Sequence, residues 1–182
     1  MNITGAARLA GVMGWPVSHS LSPALHNFWL REYDIDGVYI PLAVSPEAFE
    51  YSLVALSQLG FAGVNVTVPH KEAAYSAVEE TDRLAERIGA VNTIVFNKNG
   101  QIRGTNTDGF GFVEGLRSKA PEWSGSAGPA VVLGAGGAAR AIVAALQDQG
   151  VSEIRIVNRT SARGARLVTD FGSPLINVAW RE

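Results

Sequence analysis

The segment Gly134-Ala135-Gly136-Gly137-Ala138-Ala139 constrains this chain more than any other. It follows a short apolar run, Ala130–Leu133, and precedes a helical pattern over 138–149. That is the strand-turn-helix setting in which G-x-G-x-x-G/A binds a pyrophosphate. The first glycine permits the tight turn, the second lets backbone amides approach the anion, and the small last residue allows close helix-strand packing. The alternative is a tight strand-helix turn with no ligand. A strand over 153–158, a helix over Ser161–Phe171 and a strand over 176–179 follow, so β-α-β-α-β is expected, one mononucleotide-binding half of a Rossmann fold.

The end of the second of these strands sets the choice of dinucleotide. An acidic residue there would accept hydrogen bonds from the ribose hydroxyls, but this chain has Asn158-Arg159-Thr160, with Arg163 one helical step on. Two guanidiniums and no carboxylate suit a 2′-phosphate, so NADP is the expected cofactor, with Gly134, Ala135, Gly136, Gly137, Ala138, Asn158, Arg159, Thr160 and Arg163 around it. A solvated helix start is the alternative for the two arginines.

Composition removes several classes of function. The chain has no cysteine, which excludes disulfides, thiolate metal sites and cysteine nucleophiles, and no metal site is expected. With 15 Lys plus Arg against 17 Asp plus Glu, the charge of −2 offers no surplus to hold nucleic acid or an anionic membrane. The most apolar stretch, 131–146, carries Arg140 and is shorter than the ~20 residues of a membrane span. The amino-terminal residues lack the apolar core of a signal peptide, so a cytoplasmic chain is expected.

The Gly-, Ser- and Pro-rich stretch 120–129 reads as a linker between a domain over 1–119 and the nucleotide-binding half over 130–182. Before it, β-branched runs over 38–42, 63–68, 90–96 and 101–105 alternate with helical patterns over 23–33 and 46–59. Asn97-Lys98-Asn99-Gly100 is a hairpin signal, so one strand pair is antiparallel. The fold class is α/β: an N-terminal domain with a mixed, mostly parallel sheet, then an incomplete Rossmann domain.

Polar clusters punctuate the first domain. In Ser18-His19-Ser20-Leu21-Ser22-Pro23, Ser22 is expected to cap a helix, leaving Ser18 and Ser20 as hydroxyls that hold a carboxylate or polyol; a serine-rich turn is the alternative. In Asn65-Val66-Thr67-Val68-Pro69-His70-Lys71, strand alternation puts Asn65 and Thr67 on one face and the valines on the other. Pro69 ends that strand and starts a helix, placing Lys71 where the helix macrodipole disfavours a cation. A lysine so placed is suited to proton transfer, or is simply an exposed helix-start residue. Gly89-Ala90-Val91-Asn92-Thr93 and Asn106-Thr107-Asp108-Gly109 complete the set; Asp108 either pairs with Lys71 or caps a helix over 109–116.

Taken together and in this order, these motifs resemble the shikimate dehydrogenase family. The resemblance implies NADPH-dependent reduction of 3-dehydroshikimate to shikimate in chorismate and aromatic amino-acid biosynthesis. It implies that Ser18 and Ser20 hold the substrate carboxylate and that Asn65, Thr67, Lys71, Asn92 and Asp108 line the ring, with Lys71 moving the proton and Asp108 orienting it. Asp82 corresponds to a family residue near the cofactor. The family continues well beyond residue 182, which implies a C-terminally truncated chain lacking the nicotinamide half-site and self-associating, as a homodimer or otherwise, through an open sheet edge. A quinate/shikimate dehydrogenase and a catalytically silent binding fragment are the alternatives.

Overall fold

The computed structural model describes residues 3–97 and 99–180, and Lys98 of the expected hairpin turn lies outside them. Contacts divide the chain into two compact units, one of residues up to Glu86 with Ala90–Asn106, the other of Arg87–Gly89 with the chain from Thr107 onward. Among the described residues no helix is long and apolar enough to cross a membrane.

The first unit is built on β1 (Arg8–Gly14), β2 (Gly37–Ala43), β3 (Phe61–Val66), β4 (Glu80–Thr81), β5 (Thr93–Phe96) and β6 (Ile102–Thr105), ordered β2-β1-β3-β5-β6-β4. Strands β1, β2 and β3 are mutually parallel, β5 runs against both β3 and β6, and β4 pairs parallel with β6. The expected mixed sheet and the β5–β6 hairpin are both present. One face buries Met13, Val64, Val66 and Ile94 under Phe49, Leu53 and Leu56 of α2 (Phe49–Gln58) and Ala74 of α3 (Lys71–Ala77). On the other face α1 (Ser22–Glu32) lies over β1 and β2, where Val12, Val17 and Tyr39 are buried against Ala10 and Leu30.

Strand β1 has no counterpart among the expected elements, yet it lies between β2 and β3. Glycines weaken a strand pattern, and β1 carries two. Their lack of a side chain is what the packing needs: a Cβ on Gly11 would stand 2.5 Å from the Ile40 carbonyl oxygen, and one on Gly14 2.5 Å from Cγ2 of Thr67. Strand β3 also ends earlier than the alternation suggested. Thr67 to Pro69 form a turn, so Val68 is 66% exposed instead of buried with the other valines.

In the second unit β7 (Ala130–Leu133), β8 (Ile154–Val157) and β9 (Leu175–Val178) form a parallel sheet in that order, joined by α6 (Gly137–Asp148) and α7 (Ser161–Phe171). This is the β-α-β-α-β unit expected from the glycine turn. The helix α5 (Asp108–Lys119) packs on α6, with Gly109 against Ala141 and Ala145. The expected linker is not an extended connection. Trp123 packs on the core of this unit, Ser124 caps a short 3-10 turn, and Gly125 is buried against the Gln149 backbone. Glycine and serine read as punctuation in sequence, but here they permit close approach.

Candidate functional site

Parallel open sheets bind ligands beyond the carboxyl ends of their strands. In the first unit the carboxyl ends of β1, β3 and β6 and the amino end of the antiparallel β5 share one edge. The loop after β1 carries Ser18 and Ser20, the turn after β3 carries Thr67 and leads to Lys71, and Asn92 immediately precedes β5. The expected substrate residues of this unit therefore meet at one edge of the sheet.

Backbone hydrogen bonds fix these loops to one another. Thr67 N–H donates to Met13 O at 2.9 Å and Trp15 N–H to Val68 O at 3.0 Å, tying the ends of β1 and β3 together. Val91 N–H donates to Lys71 O at 2.9 Å, Asn92 N–H to Thr105 O at 3.0 Å, and the Asn106 amide to Ala90 O at 3.0 Å. His70, buried beside the site, puts Nε2 2.7 Å from Val44 O and stacks on Phe49 with centroids 4.8 Å apart. Lys71 is the first residue of α3, near the helix N-terminus as expected, although the helix starts two residues after Pro69, and it is half-buried.

Two capping expectations are corrected. Leu21, not Ser22, occupies the position before α1, and it is Ser20 whose Oγ accepts from Ser22 N–H, at 3.3 Å. Ser20 thus shapes the turn and keeps a hydroxyl hydrogen to donate. Asp108 is the first residue of α5, with Thr107 before it, so its carboxylate stands in the first helical turn and not at the cap. It lies in the second unit.

Asp82 has a local structural role. Its Oδ1 accepts from Ala85 N–H at 2.6 Å, which caps α4 (Arg83–Ile88) in the manner expected of aspartate before a helix.

Two residues to which the sequence assigned no role, Tyr39 and Thr93, join Asn65 and Asn92 in the interior of this face. Tyr39 on β2 donates its hydroxyl to Asn65 Oδ1 at 2.8 Å, Asn65 Nδ2 donates to Thr93 Oγ1 at 3.1 Å, and Thr93 Oγ1 donates to Asn92 Oδ1 at 2.9 Å. The Tyr39 ring stacks on His26 with centroids 4.2 Å apart and planes within 5°. Burial pushes the Tyr39 pKa up to about 12 and that of His26 below its ordinary value, so a neutral phenol faces a neutral imidazole near neutral pH. The missed signal was the alternation of Val38, Tyr39 and Ile40, which marks Tyr39 as facing away from the main core.

In the second unit Gly134 adopts φ +111°, a conformation suited to glycine, and its N–H donates to Val157 O at 2.8 Å. Gly136 precedes α6 in open space, where a backbone can approach a ligand, and Ala139 is buried in the core under the helix. Ala135, Gly137 and Ala138 complete the turn. Asn158 Nδ2 donates to Thr160 O at 2.8 Å, which folds the turn after β8, and Arg159 and Arg163 are exposed beside it. These residues fit the adenosine 2′-phosphate and pyrophosphate of NADP. Among the described residues no cluster of His, Asp or Glu could hold a metal ion.

Residues 12–94 match the family model for the shikimate dehydrogenase substrate-binding domain, and residues 117–179 match that for shikimate / quinate 5-dehydrogenase. The chain is 58% identical over 180 residues to the NADP(+) shikimate dehydrogenase of Paramagnetospirillum magneticum. The chain belongs to the shikimate dehydrogenase family. That alignment covers 99% of this chain and 65% of the Paramagnetospirillum protein, so the chain spans slightly less than two thirds of this relative's length. Among solved shikimate dehydrogenases, the Aquifex aeolicus structure has a TM-score of 0.89 at 37% identity, covering 97% of this chain and 64% of that one. The Thermus thermophilus structure, in complex with NADP(H) and shikimate, has a TM-score of 0.82 at 41% identity, with coverage of 93% and 62%.

Proposed function

We propose that this chain serves an NADP-dependent shikimate dehydrogenase, which reduces 3-dehydroshikimate reversibly to shikimate. The observation that carries the proposal is the convergence of Ser18, Ser20, Thr67, Lys71 and Asn92 at one edge of the first unit's sheet. Ser18 and Ser20 hold the substrate carboxylate, and Thr67 and Asn92 hold ring hydroxyls. Asp108 supplies the carboxylate that accepts from a substrate hydroxyl. NADPH, when bound, supplies the hydride. The Lys71 ammonium stabilises the charge left on the former carbonyl oxygen and donates the proton to it. The glycine turn and the start of α6 hold the pyrophosphate, and Arg159 and Arg163 hold the 2′-phosphate. Asp82 caps α4 through Oδ1 and keeps Oδ2 for a cofactor contact.

The deciding assay is shikimate-dependent reduction of NADP, measured with this chain continued by the last third of the Paramagnetospirillum relative. Turnover with shikimate and NADP is expected to exceed that with NAD or with quinate. Turnover with quinate alone would replace the substrate assignment.

Arg159→Ala is expected to weaken NADP about tenfold or more, since a hydrogen bond to a charged group contributes ~1.5–3 kcal/mol. NAD affinity is expected to change little. Equal losses for both cofactors in a binding titration would remove Arg159 from 2′-phosphate recognition.

A further inference from the structure

The three strands of the second unit end level with one another. Leu133 on β7 pairs across β8's Ile156–Val157 end with Val157, and Val157 pairs with Val178 on β9. Just beyond those residues lie, in the same order, the glycine turn from Gly134, the turn of Asn158, Arg159 and Thr160, and the pair Ala179-Trp180. The first two are assigned above to the pyrophosphate and the 2′-phosphate of NADP. No phosphate is assigned to the third.

At that third place Val157, Val178, Ala179 and Trp180 line an open cavity of about 470 Å³. None of these side chains carries a charge. Trp180 is 56% exposed, whereas Trp123 of the same unit packs on the core. An exposed indole beside an apolar floor suits a flat, uncharged heteroaromatic ring and not an anion.

We propose that Trp180 is the platform on which the adenine of NADP stacks, with Val157 and Val178 as the apolar floor beside it. The identity of the ligand rests on the NADP reading above.

The covalent structure of the nucleotide places the base. Its ribose bears the pyrophosphate on C5′, the phosphate on C2′ and adenine on C1′, so the base hangs from the carbon next to the one that carries the 2′-phosphate. With the pyrophosphate beyond β7 and the 2′-phosphate beyond β8, adenine occupies the ground that adjoins Arg159 and Arg163. Strand β8 lies between β7 and β9, so the side of that ground away from the glycine turn is the end of β9. The cavity there includes Val157, the residue directly before Asn158, which makes the apolar floor continuous with the turn that holds the phosphate. The two contacts also differ in what they select. Stacking holds any adenine nucleotide, because it reads only the face of the base, while the guanidiniums read the 2′-phosphate. Trp180 therefore contributes affinity for the adenosine end, and the arginines contribute the preference for NADP over NAD.

The 182-residue chain is titrated by calorimetry with two probes that lack nicotinamide, adenosine 2′,5′-bisphosphate and adenosine 5′-diphosphate. The indole N–H of Trp180, identified by its loss in Trp180→Phe, is followed by 1H–15N NMR and is expected to move on binding. Trp180→Leu stays apolar but offers no aromatic face, and is expected to weaken both probes by a similar factor, about five- to twentyfold, the effect of losing one base–aromatic stack. Trp180→Phe keeps a ring and should stay within about threefold of the parent. Arg159→Ala is expected to weaken the bisphosphate alone. Equal weakening by Trp180→Leu and Trp180→Phe marks a purely structural role and overturns the proposal. A Trp180→Leu chain that binds both probes as tightly as the parent overturns it, and so does a Trp180 resonance unmoved at saturating bisphosphate. In each of those cases a selective loss in Arg159→Ala leaves the NADP reading standing. A parent chain that binds neither probe overturns both.

Discussion

Lys71→Ala, placed in the chain continued by a relative's last third, is expected to lower turnover by ~10²-fold or more, within the range for a general acid-base group. Shikimate affinity should change far less. The reason is the timing of charge: the oxygen that Lys71 serves becomes strongly basic only as hydride arrives, so the ammonium contributes most in the transition state. The backbone around the lysine is fixed independently of its side chain, by Val91 N–H on Lys71 O and His70 N–H on Thr67 O. The substitution should therefore leave the loop in place. Near-normal turnover at saturating shikimate would show that another group donates the proton.

Gly63→Val is expected to be the most damaging single change to the first unit. Gly63 lies on β3 between β1 and β5, and even one added carbon would run into the Ile94 carbonyl oxygen, which is backbone and has no rotamer to change. Relieving that collision means separating β3 from β5 where Asn65 and Thr93 pair. A loss of about 3 kcal/mol or more is expected, the upper range for overpacking, which for a unit of this size corresponds to about 10–20 °C in the melting midpoint. Gly60→Ala offers a control in open space, although the positive φ of Gly60 adds its own strain. A Gly63→Val midpoint within a few degrees of the parent would show that the sheet yields at this position.

The second unit was the more legible of the two in the sequence. Its strands are short apolar runs, its first turn carries glycines in a recognisable pattern, and α7 occupies Ser161–Phe171 as its periodicity indicated. The first unit was harder because its central strand is disguised. Gly11 and Gly14 make β1 look like loop, while their role depends on Ile40 and Thr67, which are distant in sequence. The candidate site was readable residue by residue because Ser18, Thr67, Lys71 and Asn92 lie in compact motifs. Tyr39 and Thr93 were not, because what marks them is a cross-strand partner. Asn65 shows the same limit from the other side: its place on the polar face was correct, but only the pairing with Tyr39 reveals that its amide is already engaged.

The way α5 packs also defines what can be exchanged as a module. The composition break at 120–129 looks like the natural seam, yet a recombination event there would leave α5 behind while taking α6 away, stripping Gly109 from Ala141 and Ala145 and Trp123 from its core. A junction just after Asn106 keeps those contacts on one parent, so family members should tolerate crossover at the end of β6 far better than in the glycine- and serine-rich stretch that advertises itself as the boundary.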